Sequence, residues 1–311
     1  MAEIEHEVIA VTGAAGNLGT KLIAALLESQ PSLRVLGLDL IAGKPDDRIE
    51  WIECNLADAG DSQWKDAIDR STGLVHFAAK NPYPEADWDD ATVSLDMTLH
   101  VMLAAAHSPT MRRVVFATSN HVMGRYKEDG ANDAARKMRA TDTVGVGTVW
   151  YANGVLMDST IYAVPKFCGE RLCKALAAQC ARRGGPSFVC VRIGWCQPGD
   201  NSALTLNASG TPTLAASDTD AAENEGDADS LRDVALLNQW YRSMWLSNRD
   251  FTHIFSRALV AALPAERGGF LLTHGMSANS GMRWDLTESK EVLGYQPKDD
   301  VQAELRRAAA R

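Results

Sequence analysis

Residues 7 to 12 are an apolar run ending in Thr12, and a loop with glycines at 13, 16 and 19 follows at once. Thr20 to Ser29 then carries the periodicity of an amphipathic helix. A buried strand that turns through glycines straight into a helix constrains this chain more than any other segment. Such glycines turn the backbone tightly, let main-chain amides approach a pyrophosphate, and bring helix and strand close together. The helix N-terminus then favours the phosphate charge. The spacing is G-x-x-G-x-x-G, not the commoner G-x-G-x-x-G, so Gly13, Gly16 and Gly19 are the candidate dinucleotide cradle.

Further apolar runs follow at 34–40, 49–54, 73–79, 113–118 and 188–193, separated by helical stretches near 63–69, 91–107 and around residue 162. Six such runs alternating with helices predict an α/β fold, a doubly wound parallel sheet. Asp39 closes the second run. A carboxylate there accepts bonds from the adenosine ribose hydroxyls and repels a 2′-phosphate. Leu40 and Ile41 follow in place of a basic residue, which favours NAD over NADP.

Tyr162 and Lys166 lie four residues apart, on one face of a helix. A phenol beside an ammonium and a positive nicotinamide is expected to fall below its ordinary pKa of ~10. Tyr162 could then take a proton from a substrate hydroxyl as hydride leaves for NAD. Lys166 could also hydrogen-bond the nicotinamide ribose. Ser119 ends the fifth run, where strand ends meet a ligand crevice, and its hydroxyl could hold the substrate oxygen. His121 is read as a neutral donor to a sugar hydroxyl or carboxylate, and His76 as a satisfied core histidine.

The formal net charge of −9 argues against nucleic acid or an anionic membrane as partner. No apolar run approaches the roughly 18 residues of a membrane span. The acidic start is unlike a signal peptide, and six cysteines without paired spacing read as reduced, buried thiols, so a cytoplasmic protein is expected. No metal site is expected. Residues 127–159 read as a polar insertion, and 199–230 as an exposed, low-complexity one, a candidate flap. An aromatic helix is expected over 238–247 and another over 249–263.

Taken together, the glycine loop, Asp39, Val75 to Ala79, Ser119, Tyr162 with Lys166, Arg192 to Gly194 and Leu293 to Pro297 resemble the extended short-chain dehydrogenase/reductase superfamily, or NAD-dependent epimerase/dehydratase family. The resemblance implies a Rossmann-type NAD-binding domain over 1–194 and a smaller substrate-binding part over 195–311. It implies that Asn17 and Leu18 of the loop, Asn55, Leu56, Ala78, Ala79 and Ile193 surround the cofactor. Ser119-Asn120-His121, Arg192 to Cys196 and Trp245 to Ser247 further resemble uronate dehydrogenases. That implies a small sugar or sugar acid as substrate, held by Asn81, Ser119, Asn120, His121 and Tyr162; Arg242, two residues from where that resemblance expects an arginine, is the candidate for holding a carboxylate. The chain departs from that pattern at Trp195, where a small residue is expected, at the two insertions and at Pro165. A homodimer is left open as the assembly. The reading is a dehydrogenase oxidising a sugar hydroxyl; a nucleotide-sugar epimerase that keeps its NAD, and a silent NAD-sensing regulator, are the alternatives.

Overall fold

A computed structural model of the protein describes residues 8–80, 86–131, 136–152, 155–206 and 239–310. Strands β1 (Val8–Thr12), β2 (Arg34–Asp39), β3 (Ile49–Glu53), β4 (Gly73–His76), β5 (Arg113–Ser119), β8 (Ser187–Ile193) and β9 (Phe270–Gly275) form one parallel sheet. Its order is β3-β2-β1-β4-β5-β8-β9, so the winding direction reverses between β1 and β4. A crevice opens there, outside the carboxyl ends of the strands. A separate antiparallel hairpin, β6 (Val149–Ala152) and β7 (Val155–Asp158), lies between β5 and β8 in sequence.

Side chains alternate across the sheet and bury both faces. Ile9, Val11, Val115 and Val191 pack with helices α1 (Asn17–Ser29) and α5 (Asn248–Val260) through Leu22, Leu26, Phe251 and Phe255. Ala10, Leu36, Leu74 and Phe116 pack on the other face against α2 (Ser62–Asp69), α3 (Trp88–His107) and α4 (Thr160–Ala181). Each such fully buried side chain contributes about 1.5–3 kcal/mol. Two short helices, α6 (Thr287–Leu293) and α7 (Val301–Ala309), end the described chain.

The architecture is the Rossmann-type sheet the sequence predicts, with differences of detail. The seventh strand, β9, was not expected, and with α5 it builds the sheet from beyond residue 194. Its short run, Phe270 to Gly275, follows two glycines and carries Thr273 and His274, which hide the strand signal. The expected polar insertion at 127–159 contains the β6–β7 hairpin, whose Trp150 is buried. Of the expected exposed stretch at 199–230, residues up to 206 are described, and among them Asn201, Ala203 and Leu206 are buried while Gly199, Asp200, Leu204 and Thr205 are exposed. Asn201 is buried with φ of 53°, and its Nδ2 donates to the Leu246 carbonyl. Residues 207–238 lie outside the described chain. The aromatic helix is described only over 239–243, because Trp245 leaves it to pair with Trp195. Pro165 sits inside α4, yet the helix runs on to Ala181.

His76 is the satisfied core histidine expected. Its Nδ1 lies 2.7 Å from Thr12 Oγ1 and its Nε2 3.2 Å from Thr98 Oγ1. Thr98 Oγ1 also donates to the Ser94 carbonyl, so Nε2 carries the proton and Nδ1 accepts from Thr12. Burial and the nearby Lys166 charge push His76 down to about 3, and burial pushes His274 to about 3 as well. A base whose pKa is lower folded than unfolded binds fewer protons in the native state between those values. Stability is therefore highest above pH ~6.5 and falls as pH drops below it, by a few kcal/mol per buried histidine at most. The urea midpoint should decline between pH 6.5 and 5, where carboxylates still ionise; a flat midpoint across that range would contradict this.

Candidate active site

The glycine loop fits a phosphate. Gly13 has φ of 65°, and a Cβ there would lie 2.9 Å from the Ala78 amide nitrogen, so only glycine lets β1 and the strand-end residue Ala78 approach this closely. Ala78 N donates to Thr12 Oγ1 at 3.3 Å, fixing that approach. Helices α2 and α3 are capped by their own carboxylates, Asp61 and Asp87. By contrast, α1 begins after Gly16 with no side-chain cap and no acidic residue in its first turn. Its free amide ends suit an incoming anion.

Asp39 stands beside this loop. Its Oδ2 accepts from Ala15 N at 2.9 Å and its Oδ1 from Leu40 N at 2.7 Å, so the carboxylate also clamps the loop. Asn17 donates to the Cys196 carbonyl at 3.2 Å and Lys21 to the Gln197 carbonyl at 2.6 Å, which ties the start of α1 to the chain after β8. Leu18 packs on the core. Asn55 is exposed and its Oδ1 accepts from Ala57 N, whereas the Leu56 side chain is buried in the core. Any adenine contact by Leu56 is thus left to its backbone. Ala79 follows Ala78 and is half-buried. Asn81 lies outside the described residues.

The catalytic face belongs to α4. Lys166 is buried, its Nζ donates to the Ala117 carbonyl at 3.0 Å, and it lies 5.8 Å from the Tyr162 ring centroid. Ser119, at the end of β5, lies close enough to the Tyr162 phenol to pull its pKa down. Among the protein's own groups, burial pushes Tyr162 up to about 12, against the lowering pull of Ser119. Burial also lowers Lys166 to about 8, which weakens the ammonium counted on to stabilise phenolate.

His121 faces the same phenol. Its ring meets Tyr162 edge-on at 5.9 Å and stacks on Trp150 at 6.4 Å. Its Nδ1 lies 2.8 Å from Thr148 Oγ1 and 2.9 Å from Ser159 Oγ, and burial lowers its pKa to about 4, so the imidazole is neutral. Asn120 Nδ2 donates to the Ile193 carbonyl at 3.1 Å, while its buried Oδ1 has no partner among the described residues. An orphaned buried acceptor at a strand end suits a ligand hydroxyl. Arg242 is half-buried with its Nε unpartnered, and no described contact joins it to Tyr162 or His121. Its neighbour Tyr241 packs edge-on against Trp150 at 5.8 Å and Trp195 at 5.1 Å.

The structure therefore gathers Ser119, Asn120, His121, Tyr162, Lys166 and Ile193 at one strand edge, with the glycine loop across the crevice. Sequence reasoning missed the residues that hold them: Thr148, Ser159 and Trp150 around His121, and Glu170 below Lys166. Glu170 was findable, since it continues the Tyr162–Lys166 face at the same four-residue spacing. Thr148 and Ser159 were not, because the hairpin that delivers them has no strong local signal.

Residues 9–194 match the NAD dependent epimerase/dehydratase family. This chain belongs to that family. L-arabinose 1-dehydrogenase (NAD(P)(+)) of Haloferax volcanii is 29% identical over 94% of this chain and 96% of its own. Uronate dehydrogenase of Pseudomonas syringae pv. tomato is 26% identical over 93% of this chain and 81% of its own. The solved structure of glucuronic acid dehydrogenase from Chromohalobacter salexigens superposes with a TM-score of 0.66 at 22% identity, covering 98% of this chain and 90% of that one. At that identity the structural likeness shows the fold.

Family membership makes NAD the cofactor, and the uncapped α1 with Asp39 beside it fits that ligand. Asp39→Ser should improve NADPH binding relative to NADH at least tenfold, about 1.4 kcal/mol, by removing like-charge repulsion. Fluorescence titration of both nucleotides checks this; an unchanged ratio would remove Asp39 from cofactor choice.

Proposed function

We propose that this protein is an NAD-dependent dehydrogenase that oxidises a hydroxyl of a sugar or sugar acid. One observation carries the reading: Ser119 ends β5 beside the Tyr162 phenol, with the buried Lys166 Nζ 5.8 Å from that ring and neutral His121 edge-on to it at 5.9 Å. Relatives named as sugar dehydrogenases, spanning nearly the whole chain, support it. The six free cysteines support action in a reducing compartment, the cytoplasm.

Bound NAD supplies the hydride acceptor and a positive ring. Ser119 Oγ orients the substrate oxygen. Tyr162 Oη, as phenolate, accepts the hydroxyl proton while the C–H bond gives up its hydride and a carbonyl forms. Lys166 stabilises the phenolate from below and, with two donors still free, can hold a ribose hydroxyl. Asn120 Oδ1 and His121 bind other hydroxyls of the sugar, and Arg242 holds a carboxylate where the substrate is an acid.

Release of NADH from a panel of free aldoses, aldonic acids and uronic acids tests the reading. Net NADH from at least one is expected; a protein that retains NAD, makes no net NADH and interconverts sugar epimers is an epimerase. Tyr162→Phe should cut turnover by ~10²–10⁴-fold while leaving NAD affinity intact. Turnover within threefold of the parent would exclude Tyr162 as the base.

Arg242→Ala should raise KM for the best acid substrate by the equivalent of about 1.5–3 kcal/mol and leave neutral aldoses unchanged. Arg242→Lys should recover only part of that loss. An unmoved KM for the acid would leave Arg242 without a substrate role.

A further inference from the structure

Glu170 and Arg192 form a buried ion pair, 2% and 0% exposed, that the mechanism above does not use. Glu170 Oε1 accepts from Arg192 Nε at 2.8 Å and from the Thr118 hydroxyl at 2.7 Å; Oε2 accepts from Arg192 Nη2 at 2.7 Å. Arg192 Nη1 donates to the Ala140 carbonyl at 3.1 Å. Each partner sits one step from a site residue. Glu170 is one helical turn from Lys166 and two from Tyr162. Thr118 precedes Ser119 on β5. Arg192 precedes Ile193, whose carbonyl holds Asn120.

A buried ion pair is a poor source of stability, because desolvating both charges offsets most of their attraction. It is a good source of fixed geometry, because a bidentate guanidinium–carboxylate pair allows few arrangements. This one joins α4, β5 and β8, which carry Tyr162, Lys166, Ser119 and Ile193, and anchors them to the segment at Ala140. Its Thr118 bond ties α4 to β5 beside the Lys166–Ala117 bond.

We propose that the Glu170–Arg192 pair is a positioning device that, through the Thr118 hydroxyl, sets Ser119 against the Tyr162 phenol. Glu170 touches no reacting atom. It holds the register between the helix carrying the base and the strand carrying the serine. The proposal rests on the dehydrogenase reading only for its kinetic consequence, not for its geometry.

Thr118→Val tests it, since the change removes one hydroxyl and leaves both Glu170 oxygens bonded to Arg192. Tyrosine labelled with ¹³C at Cζ reports the hydrogen bonding of the Tyr162 phenol at neutral pH, its resonance assigned by its loss in Tyr162→Phe. The resonance should move in Thr118→Val in the same direction as in Ser119→Ala, and return in Thr118→Ser. With the sugar that gives most NADH, kcat should fall at least fivefold and recover in Thr118→Ser, while both KM values stay within twofold. Far-UV circular dichroism and NADH affinity should match the parent, which a general loss of structure would not allow. A folded Thr118→Val with the parent's resonance overturns the proposal, as does a kcat within twofold of the parent. If Thr118→Val does not fold, Glu170→Gln is read by the same resonance and judged by the same criteria. If no sugar yields NADH, the dehydrogenase reading fails while the resonance still decides the positioning role.

Discussion

One face of α4 is buried against the carboxyl ends of β5 and β8, and it is an unusual face to bury. Lys166 and Glu170 lie on it with 5% and 2% exposure, and both charges lose their water. Close packing makes this arrangement possible. A Cβ on Gly169 would come 2.6 Å from the Phe116 ring, so only glycine lets the helix settle onto β5. The same ring lies under Lys166 Nζ at 5.1 Å, where its π face offsets some of the lost hydration. Tyr162, Lys166, Ser119 and the Ile193 carbonyl hold their places because this contact is tight.

Burial has an electrostatic consequence. The protein's own groups here favour neutral forms, with the phenol raised, the ammonium lowered and His121 held as neutral imidazole. A phenolate is therefore disfavoured until a positive ring arrives beside it. Base and cofactor are coupled in this way: burial alone opposes the phenolate, and a neighbouring positive ring favours it.

Much of this was legible in the sequence, and the legible parts share a cause. The glycine loop, the strand periodicity and the Tyr162–Lys166 spacing are local patterns, each set within a few residues by backbone or helix geometry. What was hidden depends on distant partners. β9 reads as a strand only when β8 is beside it. Trp245 leaves its helix because its backbone pairs with Trp195, fifty residues earlier in the chain. The desolvation that opposes a Tyr162 phenolate was hidden too, because proximity to a lysine is visible in sequence and burial is not. His121 was singled out correctly as a polar residue at a strand end, yet the Thr148 and Ser159 hydroxyls that orient it come from a hairpin without a clear sequence signal.

The central claim is that the crevice at β1 and β4 and the α4 face opposite it serve one reaction, in which a substrate carbon gives its hydrogen directly to NAD as Tyr162 takes the hydroxyl proton. The fate of that hydrogen tests it most directly. The best sugar substrate, deuterated at the carbon that is oxidised, is incubated in ordinary water with NAD and the protein, and the nucleotide product is weighed by mass spectrometry. Direct transfer predicts that the NADH formed carries one deuterium. Unlabelled NADH, or oxidised sugar without NADH, would contradict it.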